Sequence, residues 1–276
     1  WFSGGGALFQ YLRRRILFAF FLTLTVAPFS AAASPWARPD GELLIISRGE
    51  YFRAELDPFE TPDGIIESRF DRFESNTYLE YGLTDDITIG GKVLYGTTWL
   101  QRGDTVDTAQ GFSEIEGFAQ FQFLRDDRRA ASVRISASKP ARFQSGARTS
   151  LQGEGADAEI AALYGHDIIF KPIKLFAAFE TGYRRRFGDS ADQIKSQATL
   201  GIEPTGNLLF LLEGFSTFSV RNGSGAETDY DIIKLQPSAV YRFSKRWSLQ
   251  AGFTEEIYGR NLELGRTYFI GLWSTF

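Results

Sequence analysis

Residues with apolar and polar side chains alternate nearly one for one along most of this chain, and that period leaves few folds open. Phe73, Ser75, Thr77, Leu79 and Tyr81 fall on one side, with Arg72, Glu74, Asn76, Tyr78 and Glu80 on the other. Ile87, Ile89, Gly91, Val93, Tyr95 and Trp99 oppose Thr88, Gly90, Lys92, Gly96 and Thr98. Ile115, Gly117, Ala119, Phe121 and Phe123 oppose Glu114, Glu116, Gln120 and Gln122. The pattern returns over Gln193 to Glu203 and over Trp247 to Ile257. A helix needs a period near 3.6, whereas a period of two is a strand with one apolar face. Less regular segments begin near Glu42, Ala130, Ala156, Ile173, Leu208, Asp229 and Arg266. The total is about twelve strands in one all-β domain, which suits a chain of this length.

The connections alternate in length. Thr84-Asp85-Asp86, Asp126 to Arg129, Pro204 to Asn207 and Ser244 to Arg246 are tight turns of standard turn residues. Between them the sequence predicts longer loops at Asp57 to Ser68, Arg102 to Phe112, Gln144 to Gly153, Gly188 to Asp192, Asn222 to Thr228 and Asn261 to Gly265. An even strand number puts both ends of the domain on the short-turn side. Aromatic residues gather near strand ends: Tyr81, Tyr95, Trp99, Tyr164, Tyr183, Tyr241, Trp247, Tyr268 and Phe276. Short turns at one end, longer loops at the other and aromatic girdles describe a transmembrane antiparallel β-barrel. A soluble β-sandwich or lipocalin-like barrel has the same period with the apolar side turned inward. The charge on the polar side favours the membrane.

The N-terminal segment reads as an export signal. Arg13-Arg14-Arg15 precede an apolar run from Ile16 to Pro28, and Ser30 to Ser34 is a small-residue cleavage site. The expected division is a cleaved signal peptide over 1–33 and a barrel over 34–276. The apolar run is shorter than the roughly 20 residues a membrane helix needs, and no second run of that length occurs. If the mature chain is in a membrane, only a closed barrel remains, because hydrocarbon tolerates no unpaired backbone. Mean hydropathy of −0.18 is too polar for a helical bundle. With Cys 0 and a single His, thiolate metal sites and histidine clusters are excluded. The formal net charge of −4 becomes more negative once the three arginines leave, so nucleic acid is not expected as a partner.

The last segment, Thr267 to Phe276, alternates Tyr268, Ile270, Leu272, Ser274 and Phe276 against Thr267, Phe269, Gly271, Trp273 and Thr275. It resembles the closing strand of bacterial outer-membrane β-barrels. That resemblance implies that Tyr268 and Phe276 form an assembly signal read by the barrel assembly machinery, and that this strand closes on the first, near Glu42 to Phe52.

If the apolar side meets lipid, the polar side lines the interior. The expected lining is Lys92, Glu116, Arg134, Glu159, Glu180, Lys195, Glu213, Lys234 and Glu256, with alternating sign from strand to strand. Outward charge would cost on the order of 2–4 kcal/mol at mid-bilayer. The belt reads either as the wall of a narrow hydrated pore or as a paired plug of side chains. Phe118, Phe176 and Phe269 also point inward and would line a local greasy patch, though the charge argues against a hydrophobic tunnel. No catalytic residue is assigned. A barrel lipid hydrolase needs a His beside a nucleophilic Ser, and His166 has no Ser near it in sequence and falls at a short turn. Glu114/Glu116 and Asp157/Glu159 are read as wall charges rather than glycosidase pairs. Asp229 and Asp231 read as a solvated strand end rather than a cation site. No cofactor or metal is expected.

Pro35-Trp36-Ala37-Arg38-Pro39-Asp40-Gly41-Glu42 resembles the opening of a family of outer-membrane β-barrels associated with phenol degradation by the meta pathway, and Glu80 to Gly90 resembles its strand-turn-strand signature. The resemblance implies a porin-like transporter in a Gram-negative outer membrane, with no catalytic residues to carry over. The expected function is passive passage of small polar or weakly amphipathic solutes, with outer-membrane lipid and those solutes as partners. The alternatives are a closed structural or surface-interaction barrel and, last, a lipid hydrolase.

Overall fold

The computed structural model describes residues 34–61, 64–140, 155–170, 173–224 and 229–276. The expected signal peptide and the Gln144–Gly153 loop lie outside them. In chain order the strands are β1 (Leu43–Thr61), β2 (Gly64–Thr84), β3 (Ile87–Arg102), β4 (Thr105–Arg125), β5 (Arg129–Pro140), β6 (Asp157–Phe170), β7 (Ile173–Arg186), β8 (Gln193–Thr205), β9 (Leu208–Ser219), β10 (Asp231–Arg242), β11 (Trp247–Arg260) and β12 (Gly265–Thr275). Each pairs antiparallel with its sequence neighbours, and β12 pairs with β1, so the twelve strands close into one barrel. No helix occurs among the described residues.

The seam runs from Leu44↔Thr275 to Ala54↔Gly265 without a register shift. Beyond it, the Leu43 and Phe276 main chains exchange hydrogen bonds of 3.1 and 2.9 Å, and the Phe276 ring stands edge-on to Trp247 at 6.0 Å. Closure leaves no edge with unpaired donors, and this is what allows a sheet to sit in hydrocarbon.

The alternation sorts the two faces as an inside-out protein. Outward side chains are apolar and exposed, among them Phe121, Phe123, Ile135, Ile160, Leu200 and Ile270. Inward ones include buried Glu74, Glu80, Arg134, Arg184, Glu213 and Glu256. A soluble lipocalin-like barrel would show the reverse.

Two expected loops are corrected. Asp57 to Ser68 is mostly ladder, since β1 reaches Thr61 and β2 starts at Gly64. Arg102 to Phe112 is likewise strand, turning only at Gly103-Asp104 and running on as Thr105-Val106-Asp107-Thr108. Gly, Asp and Thr interrupt the apolar–polar alternation in both segments while the backbone keeps pairing. The result is a tall wall of β1–β4, with 16 to 21 residues per strand, beside a lower wall of β5–β12, with 11 to 14. The connection Phe187–Asp192 between β7 and β8 is stapled to that after β9. Ala191 N donates to Asp229 Oδ1 (3.2 Å), Asp192 N to Asn222 Oδ1 (2.8 Å) and Ser224 Oγ to Asp189 Oδ1 (2.9 Å). Burial alone would raise the Asp192 carboxyl. Hydrogen bonds from Tyr183, Asn222, the Arg186 amide and Arg185 outweigh it and hold this carboxyl well below the usual range.

Candidate functional site: the barrel interior

The nine candidate lining residues are carried one to a strand on β3 to β11, on the side of each strand opposite the exposed apolar residues. Toward the loop end Lys92, Glu116, Glu159 and Lys195 belong to a connected web. Lys92 Nζ lies 3.2 Å from Glu114 and 3.8 Å from Glu116. Lys195 approaches Glu159 at 3.5 Å, and Arg134 approaches Glu180 at 3.2 Å. Arg134 also stacks over Phe118 at 4.8 Å and donates to Gln120 Oε1. On the opposite wall Lys234 bonds Glu256 at 2.7 Å. Glu213 accepts from Gln236 at 2.6 Å rather than from a cation.

The hub of the web is Arg184, a residue the sequence analysis did not single out. Its guanidinium reaches Glu159 (2.8 Å), Glu116 (3.6 Å), Asp157 (3.7 Å) and Glu114 (4.0 Å). Glu114 and Glu116 are on β4, and Arg184 is on β7. The span is possible because the intervening inward residues of β5 are short, Ser136 and Ser138. A signal for it exists in Tyr183-Arg184-Arg185-Arg186: strand alternation turns Arg184 and Arg186 inward and leaves Arg185 outside. The carboxylate pairs Glu114/Glu116 and Asp157/Glu159 are thus bridged by cations. With Arg186 near Asp157 at 3.9 Å, the β3–β8 wall carries Lys92, Arg134, Arg184, Arg186 and Lys195 against Glu114, Glu116, Asp157, Glu159 and Glu180. The signs balance.

Toward the short turns the interior changes character. Leu44, Ile46, Phe176, Leu209, Leu211, Val240 and Trp273 form one buried cluster inside the barrel, with Tyr78 against it. The expectation of a charged rather than apolar interior is therefore corrected for this half. Six of these side chains occupy strand ends whose inward positions are Leu, Ile, Val or Trp; with apolar residues facing both ways, β9 reads Leu208-Leu209-Phe210-Leu211-Leu212 and shows no alternation at all. Phe118, Phe176 and Phe269 are buried inside, as expected, and Arg48 stacks over Phe269 at 3.9 Å.

A strap, Ser34 to Asp40, fills the rest of the short-turn mouth. It has no regular structure, so its main-chain groups need partners from the wall. Ala37 N donates to Gln122 Oε1 and Arg38 N to Thr88 Oγ1, both at 2.8 Å, while Gln120 Nε2 donates to Ser34 O at 2.9 Å. The Ser132 hydroxyl bonds Pro35 O, and the buried Arg38 guanidinium pairs with Glu80. Trp36 lies on the bare backbone of Gly165, where a Cβ would fall 2.4 Å from the ring. The chain leaves the interior through a turn in which Glu42 N bonds Pro39 O at 3.0 Å, with Gly41 at φ 77. That is the third position of a type II turn, which favours glycine. The Pro35–Glu42 motif is therefore this strap and its exit turn.

His166 is on the outward side of β6 near a short turn, and among the described residues no serine bonds it. Asp229 accepts from Ala191 N, and Asp231 is paired to Arg260 at 2.6 Å, so both carboxylates are engaged within the rim. Among the described residues no group of metal-ligating side chains is assembled.

No family model matches the chain, and no curated protein matches it. Solved structures do. An outer membrane channel from Pseudomonas putida F1 aligns over 91% of this chain and 100% of its own, at 12% identity and a TM-score of 0.63. The NanC porin covers 83% of this chain and 98% of its own at 7% identity and 0.53. The transport unit of the autotransporter AIDA-I from Escherichia coli covers 96% and 97% at 9% and 0.50. At such identities the likeness is one of fold, and the phenol meta-pathway resemblance rests on the two short motifs alone. The chain has the fold of the closed twelve-stranded barrels found among outer-membrane channels and transporters.

Proposed function

We propose that this chain is a passive outer-membrane channel for small polar or weakly amphipathic solutes, and not an enzyme. The observation that carries the proposal is the inside-out sorting: an uncharged outward band around the barrel and, over the loop-end half, a polar, ion-paired inner wall. Hydrocarbon accepts the first and water the second. The short turns would face the periplasm and the tall β1–β4 wall the exterior. Solutes would meet the balanced web first, which disfavours strong selectivity for either sign. They would then meet the apolar cluster and strap as the narrowest part. Tyr268 and Phe276 remain the proposed assembly signal; deleting Phe276 is expected to lower the yield of inserted barrel in cells.

The experiment is single-channel recording of the full chain in planar bilayers. Ohmic current is expected, with reversal potential moving toward cation preference in Lys92→Gln/Lys234→Gln. A folded but silent barrel would overturn the channel. It would favour the second reading, a closed barrel acting through its loop-end surface, for which the filled short-turn half speaks.

A further inference from the structure

We propose that the outward side of β12, β1 and β2 binds the phosphate of an outer-leaflet glycolipid through Arg53, Arg69 and Arg266. The inference rests on the outer-membrane placement proposed above. It concerns a site that the channel does not use.

Height comes first. On β1 the outward residues Leu43, Ile45, Ser47, Gly49 and Tyr51 carry no charge. The same holds for Phe73 to Tyr81 on β2 and Tyr268 to Phe276 on the β12 side. Each run is about nine residues, the length of strand that crosses a bilayer's hydrocarbon. The next outward residue on β1 is Arg53, and on β12 it is Arg266, its direct Cα partner. On β2 the next two are Asp71 and Arg69. Three guanidiniums on three adjacent strands, about 5 Å apart from strand to strand, thus stand at headgroup level above an aromatic row of Tyr51, Phe73 and Tyr268.

The arginines are held in place from behind. Asp71 receives Arg53 Nε at 2.8 Å on one oxygen and Arg69 Nε at 2.7 Å on the other. It also accepts the Tyr51 hydroxyl at 2.6 Å. Arg53 Nη2 donates to Tyr51 Oη and Arg69 Nη2 to Gln101 Oε1. Arg266 uses Nε on Glu255 and Nη1 on Tyr268 Oη. Each guanidinium keeps one terminal nitrogen with no partner among the described residues: Nη1 of Arg53, Nη1 of Arg69 and Nη2 of Arg266. The side chains are 48%, 39% and 50% exposed. Glu55 also faces out beside Arg69, so the patch is mixed and does not act by bulk charge. What it offers an anion is oriented, spare N–H donors, the geometry that suits phosphate. Acyl chains below that phosphate would lie on the uncharged band. Free phosphate would gain nothing from the band, which selects the lipid.

The test is native mass spectrometry of the full chain in detergent, with added bisphosphorylated lipid A, its dephosphorylated form, or inorganic phosphate. Stoichiometric adducts are expected with the first only. Affinity should fall at least tenfold in Arg53→Gln/Arg69→Gln/Arg266→Gln and be largely restored by the three Lys replacements. Arg185→Gln, an outward arginine on β7 tied to Asp192 at 2.7 Å, should be without effect. Heat-modifiable gel mobility reports that each variant is folded. Equal binding by the triple Gln variant, equal binding of the dephosphorylated lipid, or displacement by millimolar phosphate overturns the proposal. Conductance in phosphatidylcholine bilayers, recorded on the same proteins, is expected to be unchanged. A silent wild type would sink the channel and leave the lipid result standing.

Discussion

The two halves of the barrel interior are built on opposite principles. Near the short turns, Leu44 and Leu209 are fully buried among Ile46, Leu211, Val240 and Trp273, and the one polar atom of Trp273 finds Gln250 Oε1 at 3.1 Å. That half holds an apolar cluster placed inside a barrel. Near the loops, the wall carries five cations against five carboxylates, with Arg184 touching four of the latter. An apolar cluster is held by burial and packing. A charge web is held by mutual compensation and fails when one member is lost. The lower half is therefore suited to setting width, and the upper half to setting which ions tolerate the path.

The largest effect is expected at Arg184. Arg184→Met leaves Glu114, Glu116, Asp157 and Glu159 to Lys92, Arg186 and Lys195, and is expected to destabilise the barrel by about 3–5 kcal/mol. Urea unfolding in detergent reads the stability, and the reversal potential should move toward cations. An unmoved potential would mean that the web does not face the conducting path. Leu209→Ala attacks the other half, with an expected loss of about 2–4 kcal/mol and no change of selectivity. Because the two sites share no partner, the double variant should be additive within about 0.5 kcal/mol; strong coupling would show the halves to be one unit.

Removing residues 34–40 tests width without touching the web. Single-channel conductance should rise severalfold while ion preference holds. Unchanged conductance would assign the constriction to the apolar cluster alone. The smallest expected effect is at the Asp126 turn between β4 and β5. The Arg128 amide, then the Arg129 side chain, pull its carboxyl from 3.8 down to about 2. A lowered folded-state value means stabilisation that is complete above about pH 4 and lost as pH falls through about 2. Asp126→Asn should therefore melt slightly lower than wild type at pH 6, with the two curves meeting below pH 2.

Much of this architecture was legible because a barrel strand writes its orientation into every second residue. Lys92, Glu159 and Lys234 are inward for the same reason that Ile89, Ile160 and Leu235 are outward. Alternation failed where its physical cause is absent. The hairpins over 57–68 and 102–112 carry the Gly, Asp and Thr that mark turns, so they read as loops although their backbones pair. Leu208 to Leu212 has lipid on one side and the apolar cluster on the other, so both sides are apolar. The strap has no period to read, and Pro35 to Glu42 was visible only as a motif without a place.

Local period and turn chemistry fix the strand number, the sidedness of the regularly alternating strands and the seam between Leu43 and Phe276. Which inward residues meet depends on the closed barrel. Arg184 reaches Glu114 because two serines of β5 stand aside, and Arg38 finds Glu80 because a strap turns into the mouth. Both contacts depend on the closure of the barrel. Closure sets distances across the interior that no spacing along the chain contains.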